Sequence, residues 1–162
     1  MSAIIVADSG PPHYLILIDC ADMLPRLFER ILIPLVVHDE LLHGSAPAKV
    51  KDWIKKPPAW LKIEPVMHFH PVTGLHKGEA AALQLALETK TPAVLMDDLD
   101  GRTAARRLGL AVTGTIGVLE RMAETGIVDL PTTFTKLGQT NFFVSPDLLD
   151  AALARDRQRH AS

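Results

Sequence analysis

One cysteine in 162 residues leaves no partner for an internal disulfide and no thiolate set for a zinc cage. Cys20 fits a reducing cytoplasm, and with no base or metal partner nearby in sequence it is expected to be an unreactive thiol. A basic excess is missing too. The chain carries 17 Lys and Arg against 19 Asp and Glu, for a net charge of −2 and a pI near 6.4. If nucleic acid is the substrate, something other than bulk charge must offset phosphate repulsion. No apolar run approaches the ~20 residues that a bilayer requires. The opening run Ile4-Ile5-Val6-Ala7 is too short for a signal peptide and stops at Asp8, so a soluble, cytoplasmic chain without membrane contact is expected. Neither G-x-G-x-x-G nor a P-loop occurs, which disfavours nucleotide-binding folds. A phosphoacceptor receiver would need a lysine after a late strand, where Thr113-Gly114-Thr115 stands instead.

What is present is enough for a core: 48% of residues are hydrophobic, on a length that suits one domain over residues 1–162. Short continuous apolar runs at 3–7, 31–33, 93–96 and 110–112 read as strands covered on both faces. Helical patterns fill the gaps. One runs from Pro34 to about His43, one follows a cap at Ser45 and ends before Pro57, and an Ala- and Leu-rich one spans 78–90. Another leads from Asp98 to a C-cap at Gly109, one is capped by Thr115 and closes at Gly126, and a last opens at Ser145. Alternating strands and helices predict an α/β fold, a three-layer α/β/α sandwich around a parallel sheet. The Pro- and His-rich stretch 57–74 is the least regular, with an edge strand expected over 60–66.

Ligands of open parallel sheets bind beyond the carboxyl ends of the strands. Asp8, Asp97 and Asp98 directly follow two of the apolar runs, and Thr113 and Thr115 follow a third. Glu79 shares a helix face with Ala82, Leu83 and Ala86, an acid at the end of a buried stripe, while Glu88 lies on the opposite side. Glu40 has Val36 and Val37 one turn behind it, although Asp39 has Leu35 and Leu42 at similar spacings. Each acid alone is ordinary in a turn or at a helix N-terminus. Their recurrence at strand ends is less so. Clustered carboxylates raise one another's pKa unless a cation neutralises them, and oxygen-only ligands suit Mg²⁺ or Mn²⁺. Such an ion also bridges an acidic pocket to an anionic substrate.

Five segments carry a family resemblance: VADSGP, LPRLFERILIPLVVHDEL, GEAAALQLALE, AVLMDDLDGRTAARRLGL and VTGTIGVLERMAETGIV. In this order, over about residues 4–128, the chain resembles the PIN-domain family, in particular its VapC-like branch of toxin-type ribonucleases. The resemblance implies a metal-dependent endoribonuclease using Mg²⁺ or Mn²⁺ on RNA. Asp8, Glu40, Glu79 and Asp98 match the family's acids. Asp97 can replace or support Asp98, Thr115 matches a hydroxyl beside the metal, and Ser9 does likewise through its hydroxyl or backbone. The resemblance also implies a homodimer, a small antitoxin partner and a toxin role. Two features depart from the family pattern: Pro12-His13 after DSGP, and glutamate at position 79 where many relatives have aspartate. The stretch 129–162 reads as a C-terminal extension outside the resemblance. The competing expectation is a catalytically silent PIN-like module that binds RNA or a protein.

Other residues have plainer readings. Arg102 is a candidate phosphate contact, whereas Arg106 and Arg107 complement a helix C-terminus. His68 and His70 fall on one side of a short extended stretch without a third ligand, as a solvated loop pair would. Trp53 fits a helix core face, and neither it nor Trp60 requires a base-stacking role.

Overall fold

The computed structural model describes residues 3–161; Met1, Ser2 and Ser162, the ends of the expected domain, lie outside the described residues. The four apolar runs become β1 (Ile4–Ala7), β2 (Arg30–Pro34), β4 (Ala93–Leu95) and β5 (Ala111–Thr113), and the expected edge strand becomes β3 (Leu61–Glu64). They form one sheet in the order β3-β2-β1-β4-β5, with every neighbouring pair parallel. The chain lays down β1, β2 and β3 in one direction, then returns across the sheet to add β4 on the other side of β1. That reversal creates a crevice at the carboxyl ends of β1 and β4.

Around the sheet lie α1 (Gly10–Leu17), α2 (Leu35–Leu41), α3 (Ala48–Lys55), α4 (Lys77–Glu88), α5 (Leu99–Arg107), α6 (Thr115–Glu124), α7 (Leu130–Gly138) and α8 (Pro146–Ala161). A 3-10 helix over Ala21–Arg26 joins α1 to β2. Although the strand sequences are continuously apolar, their side chains separate by parity. Ile5, Ala7, Ile31, Ile33 and Leu95 enter a core shared with α1, α2, α3, α6, α7 and α8. Val6, Leu32, Val94 and Met96 point the other way, into a smaller core with α4 and α5. The period-two alternation of a strand explains the division. Three layers result, as expected.

The Ala-rich α4 lies across β1, β2 and β4, and residues 78–83, 85 and 86 are buried. Its small side chains let it cross the sheet closely. On its outer face, Glu88 accepts from the Met67 and His68 backbone N–H groups at 2.8 and 2.9 Å. Gln84 accepts from His70 N–H at 2.8 Å and donates to its carbonyl. The irregular stretch before α4 is thus tied down through its backbone, which leaves the His68 and His70 rings uninvolved in these bonds.

Two expected caps differ. Pro47, not Ser45, precedes α3, and Gly114, not Thr115, holds the N-cap of α6. Thr115 opens α6 and turns its hydroxyl elsewhere. The Pro11-Pro12 pair sits buried in the first turn of α1, where the missing N–H groups have no helical acceptor to lose. Beyond residue 128 the chain adds α7, capped by Asp129, and α8, whose Ala152 is buried in the larger core.

Candidate active site

Strand parity also sorts the acids. Asp8 follows Ala7 and so falls on the side of Val6, towards α4. Asp97 follows Met96 and falls on the opposite side, towards α6, while Asp98 returns to the side of α4 and α5. Two adjacent aspartates that are equivalent in the sequence therefore meet different neighbours.

Asp8, Ser9, Glu40 and Glu79 line one cavity of about 300 Å³, together with His76 and Gly78. Asp8 is 7% exposed. Burial pushes its pKa up to about 7; the Ser9 backbone N–H opposes this, and the charges of Glu40, Glu79 and Asp97 add to it. Glu79, in the first turn of α4, is 5% exposed, and its carboxylate accepts from the His76 backbone N–H at 2.9 Å, as in a capping box. Its pKa is raised, first by burial and then by the Asp98 carboxyl with which it shares a hydrogen bond. Glu40 reaches the cavity from the exposed side of α2. Gly78 makes room for it: a β-carbon there would stand 2.5 Å from Glu40 Oε1.

Asp97 belongs to a second group. Its carboxylate accepts from Thr115 N–H at 2.7 Å and from Thr115 Oγ1 at 2.6 Å. Burial raises its pKa, while the two Thr115 bonds and the nearby Arg102 charge hold it down. Arg102 donates from Nη1 to the Met96 carbonyl at 2.9 Å. Gly114 lets these groups meet, since a β-carbon there would stand 2.7 Å from Asp97 Oδ1 and 2.8 Å from Arg102 Nη1. Asp98 is exposed and caps α5, accepting from Gly101 N–H at 3.0 Å.

The arrangement thus gathers Asp8, Glu40 and Glu79 around one cavity. Asp98 touches its Glu79 side, and Asp97 acts on Asp8 electrostatically from the other. Among the described residues none of these five acids takes part in a salt bridge. Also among the described residues, no three acid, histidine or cysteine side chains are gathered tightly enough to hold a metal ion as they stand. The donor chemistry nevertheless suits a hard divalent cation: the donors are carboxylate oxygens, and burial, with the neighbouring acids adding to it, raises the acid at their centre.

A family model for the PIN domain matches residues 4–158, nearly the whole chain and well past the last of the quoted segments. The chain belongs to the PIN-domain family. PIN domains are generally nucleases, so this is a nuclease-type fold, and its parallel sheet and flanking helices agree with that assignment. No curated protein sequence matches the chain significantly. Among the described residues no helix is long and apolar enough to cross a membrane.

Two neighbours of the PIN-domain acids escaped the sequence reading. His76 lines the Asp8 cavity, and the signal for it was its place three residues before Glu79, the spacing of a capping box. Tyr14 on α1 lies near enough to Asp97 for that charge to help raise its pKa, after burial. Nothing in the local sequence marks Tyr14, because the contact is made across the fold.

Proposed function

We propose that this PIN domain is an endoribonuclease that hydrolyses RNA phosphodiesters with Mg²⁺ or Mn²⁺. Asp8, Glu40, Glu79 and Asp98 are its acids, with Asp97 beside them. One observation carries the reading: Asp8, buried at the end of the central strand, is surrounded by further carboxylates and pushed up to about 7. An arrangement that raises the free energy of its own charged form favours a bound cation over a stability role.

In this mechanism Asp8 and Glu79 would hold the ion, with Glu40 and either Asp98 or Asp97 completing its oxygen ligands. The ion, when bound, would neutralise the acids and polarise the scissile phosphate. Either Glu40 or Glu79 takes the proton of the attacking water. The water oxygen bonds to phosphorus as the bond to the leaving ribose oxygen breaks, and that oxygen takes up a proton from solvent to leave as a hydroxyl. Thr115 holds Asp97 in one orientation through two hydrogen bonds, and Ser9 steadies Asp8 through its backbone. Arg102 offers a guanidinium to the phosphate.

Cleavage of single-stranded RNA in Mg²⁺, abolished by EDTA and by Asp8→Asn, is the expected result; cleavage indifferent to both overturns the mechanism. The resemblance to the toxin-type branch extends the proposal to a cytoplasmic homodimer restrained by a small antitoxin protein. A second reading is favoured by the wide spacing of the acids: a catalytically silent module that binds RNA or a protein. Calorimetric titration separates the two, since absence of Mg²⁺ binding at millimolar concentrations supports the silent module.

A further inference from the structure

A second cavity, of about 730 Å³, opens next to the acids and shares Asp97 and Arg102 with them. Its lining runs from those two residues past Arg121 on α6 to Phe143 and to Leu148 on α8. Three of the four charged side chains along it are arginines, Asp97 being the exception, in a chain whose net charge is −2. Positive charge is thus concentrated where the acidic edge ends.

Phe143 is 95% exposed, the only aromatic among the large exposed hydrophobics of the described residues. A ring held in water costs solvation free energy unless something covers it. It does not sit on a loose segment. Its neighbour Phe142 packs edge-on against Tyr14, with centroids 4.9 Å apart, and Phe142 N–H donates to Thr140 Oγ1 at 3.1 Å. Tyr14 Oη donates to Asn141 Oδ1 at 2.9 Å. The anchor lies on the same helix that follows Asp8, so Phe143 is presented at a fixed position relative to the acids.

We propose that this groove binds the unpaired segment of an RNA flanking the cleaved bond, with one base stacked on Phe143 and the phosphates passing Arg121 and Arg102 towards Asp97. The proposal rests on the ribonuclease reading and adds to it the face that takes the unpaired strand beyond the cleaved bond. A duplex has its base faces already stacked and offers none to an isolated ring, whereas every unpaired base has one. Charge argues against a second copy of the chain as occupant. A two-fold interface centred here would set the arginines of one copy against those of the other. Arg155, which also lines the groove, is held by Glu120 in a two-point bond at 2.9 and 2.7 Å and adds less than Arg102 or Arg121.

The test uses the full chain carrying Asp8→Asn, which keeps the probe intact and removes one acid charge so that no metal ion is needed, and a fluorescein-labelled 12-nucleotide RNA of mixed sequence. Anisotropy should show Phe143→Ala and Phe143→Leu weakening binding about tenfold, with Phe143→Trp restoring it. The same RNA as a duplex should bind more weakly than the single strand. Unchanged affinity in Phe143→Ala, equal affinity for the duplex, or no binding at micromolar protein overturns the proposal. So does a Phe143→Ala protein that sediments as monomer where the parent is a dimer, with its RNA affinity intact; that result assigns the face to self-association. The two readings fail separately. Cleavage by the natural chain with a flat Phe143 series removes only the groove, whereas a graded Phe143 series without any cleavage removes the nuclease and leaves an RNA-binding module.

Discussion

The acids at the sheet edge and the acids of the C-terminal helices are the same side chains under opposite treatment. On α6, Glu120 receives two hydrogen bonds from Arg155 of the C-terminal helix α8, which hold its pKa below the usual carboxylate range. Asp156, 3% exposed, is met by the Arg159 guanidinium at 3.0 Å and by the His160 ring at 3.6 Å. At the edge of the sheet, Asp8 and Glu79 are buried with other carboxylates as neighbours, and both are pushed up. Paired acids contribute to folding and unpaired ones oppose it. Where a fold keeps the second kind, a ligand of opposite charge is the physical reason to look for.

The comparison can be broken in four ways. The largest effect is on turnover: Asp8→Asn should lower RNA cleavage at least about a hundredfold, measured as single-turnover rate in Mg²⁺. An Asp8→Asn protein that cleaves normally would make the edge acids merely structural.

Next comes stability without metal. The folded protein holds a proton on Asp8 that the unfolded chain releases between about pH 4 and 7, so this group's contribution falls as pH rises through that window. Below the window the penalty is absent; above it the penalty is complete. Asp8→Asn should therefore stabilise the metal-free protein at pH 8 by about 1–3 kcal/mol and leave it nearly unchanged at pH 3.5, by urea denaturation. A destabilised variant at pH 8 would contradict the cost assigned to burying the charged Asp8 among other acids.

A smaller effect follows from the ion itself. Mg²⁺ at tenfold excess over its dissociation constant should add about 1.4 kcal/mol, read as a rise in Tm that shrinks at pH 5, where protons compete, and disappears in Asp8→Asn. An equal rise in both proteins would place the ion elsewhere.

The smallest effect lies at the Glu120–Arg155 pair and has the opposite sign. Glu120→Gln should destabilise by less than about 1 kcal/mol at pH 7, because the pair is partly exposed and screened. Its depressed pKa means that this contribution is complete above the unfolded carboxylate range and fades as pH falls through the folded value. A loss that persists in strong acid would show packing rather than charge.

Much of the molecule was legible in advance because its signals are local. Continuous apolar runs marked parallel strands, and an acid immediately after such a run marks a strand end wherever the strand later sits. Glu79 was legible from helix periodicity alone. The Asp97-Asp98 pair was not, because their difference is which side of the sheet each faces and which helix waits there. Thr115 was read as a cap, yet its hydroxyl and N–H serve Asp97, eighteen residues earlier in the chain. α7 and the anchoring of Phe142 were also hidden, since neither depends on a strong local pattern and both are decided by contact with the larger core and with α1.

By itself, the sequence determined the α/β class and the positions of the strand ends, both of which follow from residue type and short-range periodicity. Tertiary structure alone decided that Asp8, Glu40 and Glu79 share a cavity, that Asp97 turns to Thr115 while Asp98 turns to Glu79, and that arginines and Phe143 border them. The reason is strand order: placing β4 beside β1 rather than beside β3 brings together acids that the chain itself keeps far apart.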